Sequence, residues 1–328
     1  MARLLAVALA LTLWATGAWA DRYSDCRQTK DLDLRIRACK QIIERKKREG
    51  PKTRAFAYIR RGNAYYQTGE VDRATADYTQ AIALDTNDAH AHPNRGLAYR
   101  SKGEYDRAIT DYTKAIAINP EFAAAYFNRG FAHGRKGEVD RAIADYSKAI
   151  AIDPNDARAR YNRGNAYDET GEVDRAIADY IKAIALNSND ARYYNNRGIA
   201  YGKKGEVDRA IADYTKAITL NPNDAHYYNN RGNAYRDRGE VDRAIADFDK
   251  AIAIEPNVHD FYNNRGLVYD EKGERARAIA DYDKASALSS KLALAINNGD
   301  SGYDEKGEVN LAIAGDTKTE ELNPKNAE

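Results

Sequence analysis

Residues 162–180 read NRGNAYDETGEVDRAIADY, and close copies of this stretch recur along the chain every 34 residues. A second glycine, which precedes glutamate, keeps the same interval from Gly69 to Gly307. Regular self-similarity of this length indicates a stack of equal supersecondary units, because each unit buries its apolar face only against its neighbours. The glycine that follows arginine marks the interval at Gly62, Gly96, Gly130, Gly164, Gly198, Gly232 and Gly266.

Each unit predicts two helices joined by a tight turn. In the unit that begins at Ala157, we expect the first helix over 158–170 and the second over 172–186. Gly171 between them suits the left-handed conformation that ends a helix. Small residues such as Gly164 let the two helices approach closely, and an aromatic residue of the second helix fills the remaining space. The predicted buried aromatic stripe consists of Tyr78, Tyr112, Tyr146, Tyr180, Tyr214, Phe248 and Tyr282.

Numbered from the start of each unit, the chain has glycine at position 8, tyrosine at 11, alanine at 20 and 27, an aromatic residue at 24 and proline at 32. This pattern resembles the tetratricopeptide repeat family. The resemblance covers residues 55–326 and implies an all-α fold, a right-handed α-solenoid (superhelix) of eight 34-residue helix-turn-helix repeats. It also implies that the first helices line the concave wall. The repeats begin at Ala55, Ala89, Ala123, Ala157, Ala191, Ala225, His259 and Ala293.

The eighth repeat is degenerate, because Asp300, Asp316 and Thr319 stand where the other repeats have core residues. Both a polar terminal cap and a frayed unit fit these changes. Residues 327–328 are left as a short tail.

The chain departs from the family pattern at position 7, where arginine replaces an apolar residue. Each of these arginines is followed sixteen residues later by an aspartate, as Arg163 is by Asp179. The eighth repeat loses both together, as Gly299 and Gly315. We interpret the two residues as facing pairs that hold the helices of a repeat together, since arginine donates two parallel hydrogen bonds to a carboxylate. The alternative is independent, solvated charges.

The first 20 residues have the features of a secretory signal peptide. Arg3 supplies a short positive start, an apolar run follows at 4–14, and Ala18-Trp19-Ala20 fits a cleavage site. Cleavage after Ala20 predicts an exported protein, periplasmic or secreted, with no stable membrane insertion. The alternative is a membrane anchor, for which residues 4–20 are at the short limit of a span.

Residues 21–54 are expected to form an N-terminal capping region. One helix is predicted over 31–48. A disulfide between Cys26 and Cys39 is expected to attach the strand that leads into this helix. An exported protein meets an oxidising compartment, which favours this disulfide over the alternative of a redox or metal-binding pair.

A row of asparagines is the candidate peptide-binding feature. Asparagine occurs at positions 6 and 9, which belong to the concave wall that the resemblance implies. Because its amide offers a donor and an acceptor, such a row pairs with an extended backbone whatever the side chains. The alternative is copied filler, since residues 137–146, 171–180 and 205–214 are identical. The candidates are Asn94, Asn128, Asn162, Asn196, Asn230 and Asn264 at position 6, with Asn63, Asn165 and Asn233 at position 9.

Catalysis is not predicted. The chain shows no phosphate-binding loop, nucleophile motif or metal-ligand cluster, so we expect no catalytic residue, cofactor or metal. Without Arg3, basic and acidic residues balance at 50 each, which argues against a nucleic-acid partner. The predicted function is a scaffold that holds an extended peptide or a partner protein in the concave groove. A carbohydrate or cell-wall binding module is the alternative, and near-identical units also allow self-association.

Overall fold

A computed structural model describes residues 22–28 and 30–288, and all regular structure in them is α-helical, as predicted. The predicted signal peptide, the eighth repeat and the tail lie outside these residues. No helix among the described residues is both long and apolar enough to cross a membrane. The helices are α1 (22–27), α2 (Leu32–Glu44), α3 (Pro51–Gln67), α4 (Val71–Leu84), α5 (Ala91–Ser101), α6 (Tyr105–Ile118), α7 (Ala123–Arg135), α8 (Val139–Ile152), α9 (Ala157–Glu169), α10 (Val173–Leu186), α11 (Ala191–Lys203), α12 (Val207–Leu220), α13 (Ala225–Asp237), α14 (Val241–Ile254), α15 (His259–Glu271) and α16 (Arg275–Leu288).

Helix boundaries recur as regularly as the sequence does. First helices such as α7 contain 13 residues and second helices such as α8 contain 14. In the fourth repeat, α9 ends and α10 begins within one residue of the predicted positions. Gly171 lies between them with a φ of +80°, the left-handed conformation that the sequence predicts and that the absence of a Cβ permits.

The second repeat has a shortened first helix. α5 begins at Ala91, the third position of its repeat, whereas α7 begins at the first position of its own. Pro93 is the third residue of α5, where its missing amide hydrogen has no intrahelical acceptor to lose. The proline therefore fixes the start of this helix without kinking it.

The N-terminal helices differ from the sequence expectation. α2 ends at Glu44, four residues before the predicted end at residue 48. α3 begins at Pro51 with Gly50 as its N-cap, so the expected boundary of the capping region at residue 54 falls inside a helix. Proline is well suited to the first turn, where the amide hydrogens have no intrahelical acceptors.

The predicted disulfide joins Cys26 to Cys39, and both residues are fully buried. The segment that carries Cys26 is helical, as α1, and the expectation of a strand there is wrong. Ala38 and Ile42 of α2 and Ala57 of α3 pack in the same cluster. The bridge therefore secures α1 to the core of the cap.

The chain divides by its packing into two units, residues 1–166 and 167–328, and the predicted aromatic stripe is buried in both. In six of the repeats the ring lies against the glycine at position 8 of the first helix. A Cβ added at Gly198 would lie 2.7 Å from Cε1 of Tyr214, so this approach of the two helices requires glycine. The same contact joins Gly62 to Tyr78, Gly96 to Tyr112, Gly130 to Tyr146, Gly232 to Phe248 and Gly266 to Tyr282.

Within each unit the first helices of successive repeats contact one another, as α3 does α5 and α11 does α13. No such contact joins the second helices of successive repeats within the described part of either unit. Because the first helices are closer together, they form the inner, concave side of each unit. This is the side that the family resemblance implies as the concave wall.

Candidate binding surface on the first helices

The first helices are held in place by the predicted arginine–aspartate pairs. In the sixth repeat, Arg231 donates from Nε to Oδ2 of Asp247 over 2.7 Å and from Nη2 to Oδ1 over 2.8 Å. These hydrogen bonds raise the pKa of Arg231 above its ordinary value, so its guanidinium keeps its positive charge. The same two-bonded geometry is confirmed for Arg61–Asp77, Arg95–Asp111, Arg129–Asp145, Arg197–Asp213 and Arg265–Asp281.

The same arginines also link successive repeats. Nη1 of Arg231 donates over 3.1 Å to Oγ1 of Thr215, which lies on the second helix of the preceding repeat. The guanidinium carbon lies 5.9 Å from the ring centre of Tyr228 and 5.6 Å from that of Tyr235. One side chain thus joins two helices of its own repeat to a third helix, which fixes the rotation of the first helix that carries it.

In the first unit the candidate asparagines bond mainly to protein groups. Asn94 donates over 3.0 Å to Oδ1 of Asn63, which also accepts from the hydroxyl of Tyr78. Asn128 donates to the carbonyl of Ala124 and accepts from Nη1 of Arg100. A third, Asn162, likewise donates to a backbone carbonyl four residues earlier.

In the second unit the asparagines form bonds from one repeat to the next. Asn230 donates to Oδ1 of Asn195 over 2.9 Å, and Asn264 donates to Oδ1 of Asn229 over the same distance. Asn196 accepts from Nδ2 of Asn195 over 3.1 Å. Successive first helices are therefore connected by hydrogen bonds between side-chain amides.

The candidates at position 9 have mixed surroundings. Asn63 belongs to the bonds described above, and Asn165 and Asn233 are half-buried. Asn233 makes no side-chain hydrogen bond to any residue that the structure describes. Its amide is therefore a polar group that a ligand can use.

Position 5, next to the candidate row, carries asparagines in the later repeats that are more buried than those at position 6. Asn229 is only 9% exposed and Asn263 only 4%. Asn229 serves as the acceptor for the next repeat, as Asn195 does. These asparagines belong to the contact between repeats, and the half-buried position 6 is the more accessible row.

Sequence analysis missed a cationic group at the N-terminal end of this surface. Position 6 carries arginine, not asparagine, in the first repeat, and Arg60 lies over the ring of Phe56 with Arg27 of α1. The total charge of the chain concealed this group. A charge count restricted to the first 60 residues would have revealed it.

The histidines and acidic groups of the described residues do not form a metal site, since no group of three or more metal-ligating side chains is present among them. His92 is buried and its Nδ1 lies 2.9 Å from Oδ1 of Asp111. Burial raises the pKa of Asp111, but bonds from Arg95 and His92 outweigh it and hold that pKa below its ordinary value. This cluster is part of the packing between helices.

The repeats match models of a known family. A TPR repeat model matches residues 62–99, 96–137, 135–171, 164–205 and 232–273. Three further tetratricopeptide repeat models match residues 191–224, 213–246 and 259–291. No curated protein is a significant match to this chain.

Solved structures show the same fold. A tetratricopeptide repeat protein from Parabacteroides merdae is 21% identical, with 79% of this chain and 98% of that chain covered and a TM-score of 0.58. The APC/C hetero-tetramer Cut9–Hcn1 is 18% identical, with 89% and 57% covered and a TM-score of 0.57. PilF of Pseudomonas aeruginosa is 21% identical, with 62% and 92% covered and a TM-score of 0.55. With the repeat matched over more than half of its length, the chain belongs to the tetratricopeptide repeat family.

Proposed function

We propose that this protein is a scaffold that binds an extended segment of a partner protein along the concave side of its first helices. Tetratricopeptide repeat proteins are protein-interaction scaffolds. The proposal for this chain adds the groove and the row of asparagines at position 6 as the groups that contact the segment.

The observation that carries the proposal is the way in which these amides are oriented. Asn230 and Asn264 each use one amide hydrogen in the bond to the preceding repeat. The oxygen and the second amide hydrogen of each have no partner among the described residues. A peptide backbone offers the complementary acceptor and donor at every residue other than proline. Because the internal bond already fixes the amide, binding costs little side-chain entropy.

The geometry does not favour the alternative of a carbohydrate-binding module. Sugar recognition of the kind considered would use exposed aromatic rings, and the aromatic stripe is buried against glycine. Among the described residues the large hydrophobic side chains that are exposed are Ile181 and Leu186, neither of which is aromatic.

A pair of double variants tests the proposal. Asn230→Ala/Asn264→Ala removes the two amides that the proposal assigns to ligand binding. Asn195→Ala/Asn229→Ala removes the same two inter-repeat hydrogen bonds from their acceptor side and leaves those amides in place. Partner proteins are captured on the mature wild-type chain, identified, and their affinities for both variants are measured.

We expect the first variant to lose on the order of tenfold in affinity and the second to lose much less. Equal losses would mean that the asparagines act only through repeat packing, and the row would not be a binding site. If neither variant lost affinity for the partner, the binding site would have to lie elsewhere than on this row.

We also propose that the chain is exported to the periplasm or the medium. The support is the sequence of residues 1–20, together with a buried disulfide in the cap. Fractionation of cells that produce the chain checks this proposal. Recovery of the uncleaved chain in the cytoplasmic fraction would contradict it.

A further inference from the structure

Positive charge is concentrated at the N-terminal end of the protein. Residues 22–60 contain thirteen Lys and Arg but five Asp and Glu, whereas the whole chain has 51 against 50. The remainder of the chain is therefore acidic. The excess is spread over α1, α2, the loop at 45–50 and the first part of α3, where the row of position 6 begins.

Two of these cations share one aromatic ring. The guanidinium carbon of Arg27 lies 5.5 Å from the centre of the Phe56 ring, and that of Arg60 lies 5.2 Å from it. A cation over an aromatic face is attracted by the ring without using its N–H donors, which remain available to a ligand. Neither Arg27 nor Arg60 has a carboxylate partner among the described residues.

A third cation nearby is buried. Arg35 of α2 is 2% exposed, and its guanidinium donates from Nε to the carbonyl of Gln28. Its Nη2 has no hydrogen-bond partner, and no described carboxylate pairs with the side chain. Burial lowers the pKa of Arg35, and repulsion from Arg60 lowers it further. A buried cation of this kind is costly unless an anion compensates it.

We propose that Arg27 and Arg60, with the buried charge of Arg35 nearby, form a site for acidic side chains of the bound partner, at the N-terminal end of the asparagine row. The inference rests on the proposed function, since it specifies one end of the segment that the groove holds. A carboxylate is the group that completes the cluster, because it accepts two parallel hydrogen bonds from one guanidinium and neutralises the local excess charge. The site differs from the rest of the row, where position 6 offers neutral amides.

An acidic peptide fits better than a nucleic acid. Arg60 occupies the same position as the asparagines, so one extended chain passes from the cationic cluster to amides suited to a peptide backbone. Away from this end the chain carries an excess of Asp and Glu, which would repel a long phosphate backbone.

The test uses blocked octapeptides, acetylated and amidated, of glutamate or of glutamine, so that no terminal carboxylate contributes. Their binding to the mature chain is measured by calorimetry. The test variant is Arg27→Gln/Arg60→Gln. The control is Lys46→Gln/Lys47→Gln, which removes the same charge from exposed residues of the same cap that make no ion pair with a described residue. Circular dichroism confirms that both variants fold.

We expect the glutamate peptide to bind more tightly than the glutamine peptide, and the test variant to lose on the order of tenfold in that affinity. The control is expected to lose less than about twofold at moderate salt, because its charges act only at long range. Equal losses in both variants would show diffuse attraction and overturn the site. Equal binding of the two peptides would overturn its acidic specificity. Tighter binding of an oligothymidine with the same dependence on Arg27 and Arg60 would overturn the peptide assignment.

The outcome is separable from that of the proposed function. The Asn230→Ala/Asn264→Ala variant is expected to keep its affinity for the short glutamate peptide. A captured partner that depends on these asparagines but not on Arg27 or Arg60 would leave the proposed function standing and overturn the acidic site. The reverse dependence would support the site and overturn the asparagine row.

Discussion

The pair of Arg231 and Asp247 allows a direct measurement of what arginine at position 7 contributes to stability. We consider Arg231→Met, which keeps the length of the side chain, Asp247→Asn, which keeps its shape, and the double variant. The side chain of Asp247 is 8% exposed and that of Arg231 is 16% exposed, so the pair is largely removed from water.

The expected magnitude follows from this burial. Removing one member of a buried ion pair typically costs about 3–5 kcal/mol, because the remaining charge is left without a partner. Arg231→Met leaves the carboxylate of Asp247 unpaired, so we expect a loss of about 3 kcal/mol. Asp247→Asn retains one acceptor, and we expect about 2 kcal/mol. The double variant leaves no buried charge, so its loss should be about 2–3 kcal/mol, well below the sum.

Amide hydrogen exchange in α13 and α14 is the suitable assay, because an array of repeats need not unfold in one step. Lys250→Met is the control, since it removes an exposed cation of α14 that has no described partner, and a change within about 0.5 kcal/mol is expected. Additive losses in the double variant, or a loss for Arg231→Met no larger than that of the control, would refute the paired interpretation.

Three further predictions follow from packing and titration. Gly198→Ala should lower the free energy of unfolding by about 1–3 kcal/mol, because its Cβ would meet Tyr214. Gly202→Ala in the same helix has no such neighbour and should raise that free energy by about 1 kcal/mol. Thermal unfolding compares the two variants, and shifts of the same sign would contradict the packing. Ile181→Thr should stabilise the contact between the fourth and fifth repeats by about 0.5–1 kcal/mol. Ile181 is 43% exposed, and a threonine hydroxyl in its place would accept a hydrogen bond from Nη1 of Arg197. Faster amide exchange in α11 of the variant would contradict this prediction. Burial raises the pKa of core tyrosines such as Tyr214 above the ordinary 10.0. The stability that this shift contributes should therefore be fully present below about pH 10 and fall as the pH rises further. Phenolate absorbance that rises before helix is lost would contradict this linkage.

The repeat interval predicted most of the fold because every unit solves the same packing problem. Gly198 and Tyr214 could be paired from sequence, since a small residue on one helix and a large one on the next are complementary at fixed spacing. The arginine–aspartate pairing could also be predicted from the sequence, because both residues are absent together in the eighth repeat. The end of α2 could not be predicted from the sequence, because the segment from Arg45 to Gly50 contains no strong helix-stopping residue before the glycine.

The candidate site was less accessible from the sequence than the fold. Periodicity identifies which residues share a face, but it does not show that Asn229 is a buried acceptor for the next repeat while Asn230 is a half-buried donor to the preceding one. These two neighbours have the same chemistry and differ only in direction. The cluster around Phe56 was missed because Arg27 reaches it from α1, which lies outside the repeat pattern.

The asparagine–arginine dipeptide at positions 6 and 7 performs two tasks because consecutive residues of a helix point about 100° apart. Arg231 turns towards the second helix of its own repeat, and Asn230 turns towards the preceding first helix, where it meets Asn195. Copying of the array would preserve this dipeptide for its packing alone, so its recurrence is no argument for a ligand. Packing uses one amide hydrogen of Asn230 and leaves its oxygen and second hydrogen unused. Water can satisfy those groups in the free protein, so their removal costs little stability. If the proposed recognition holds, loss of the position 6 amides weakens partner binding more than loss of their position 5 acceptors does.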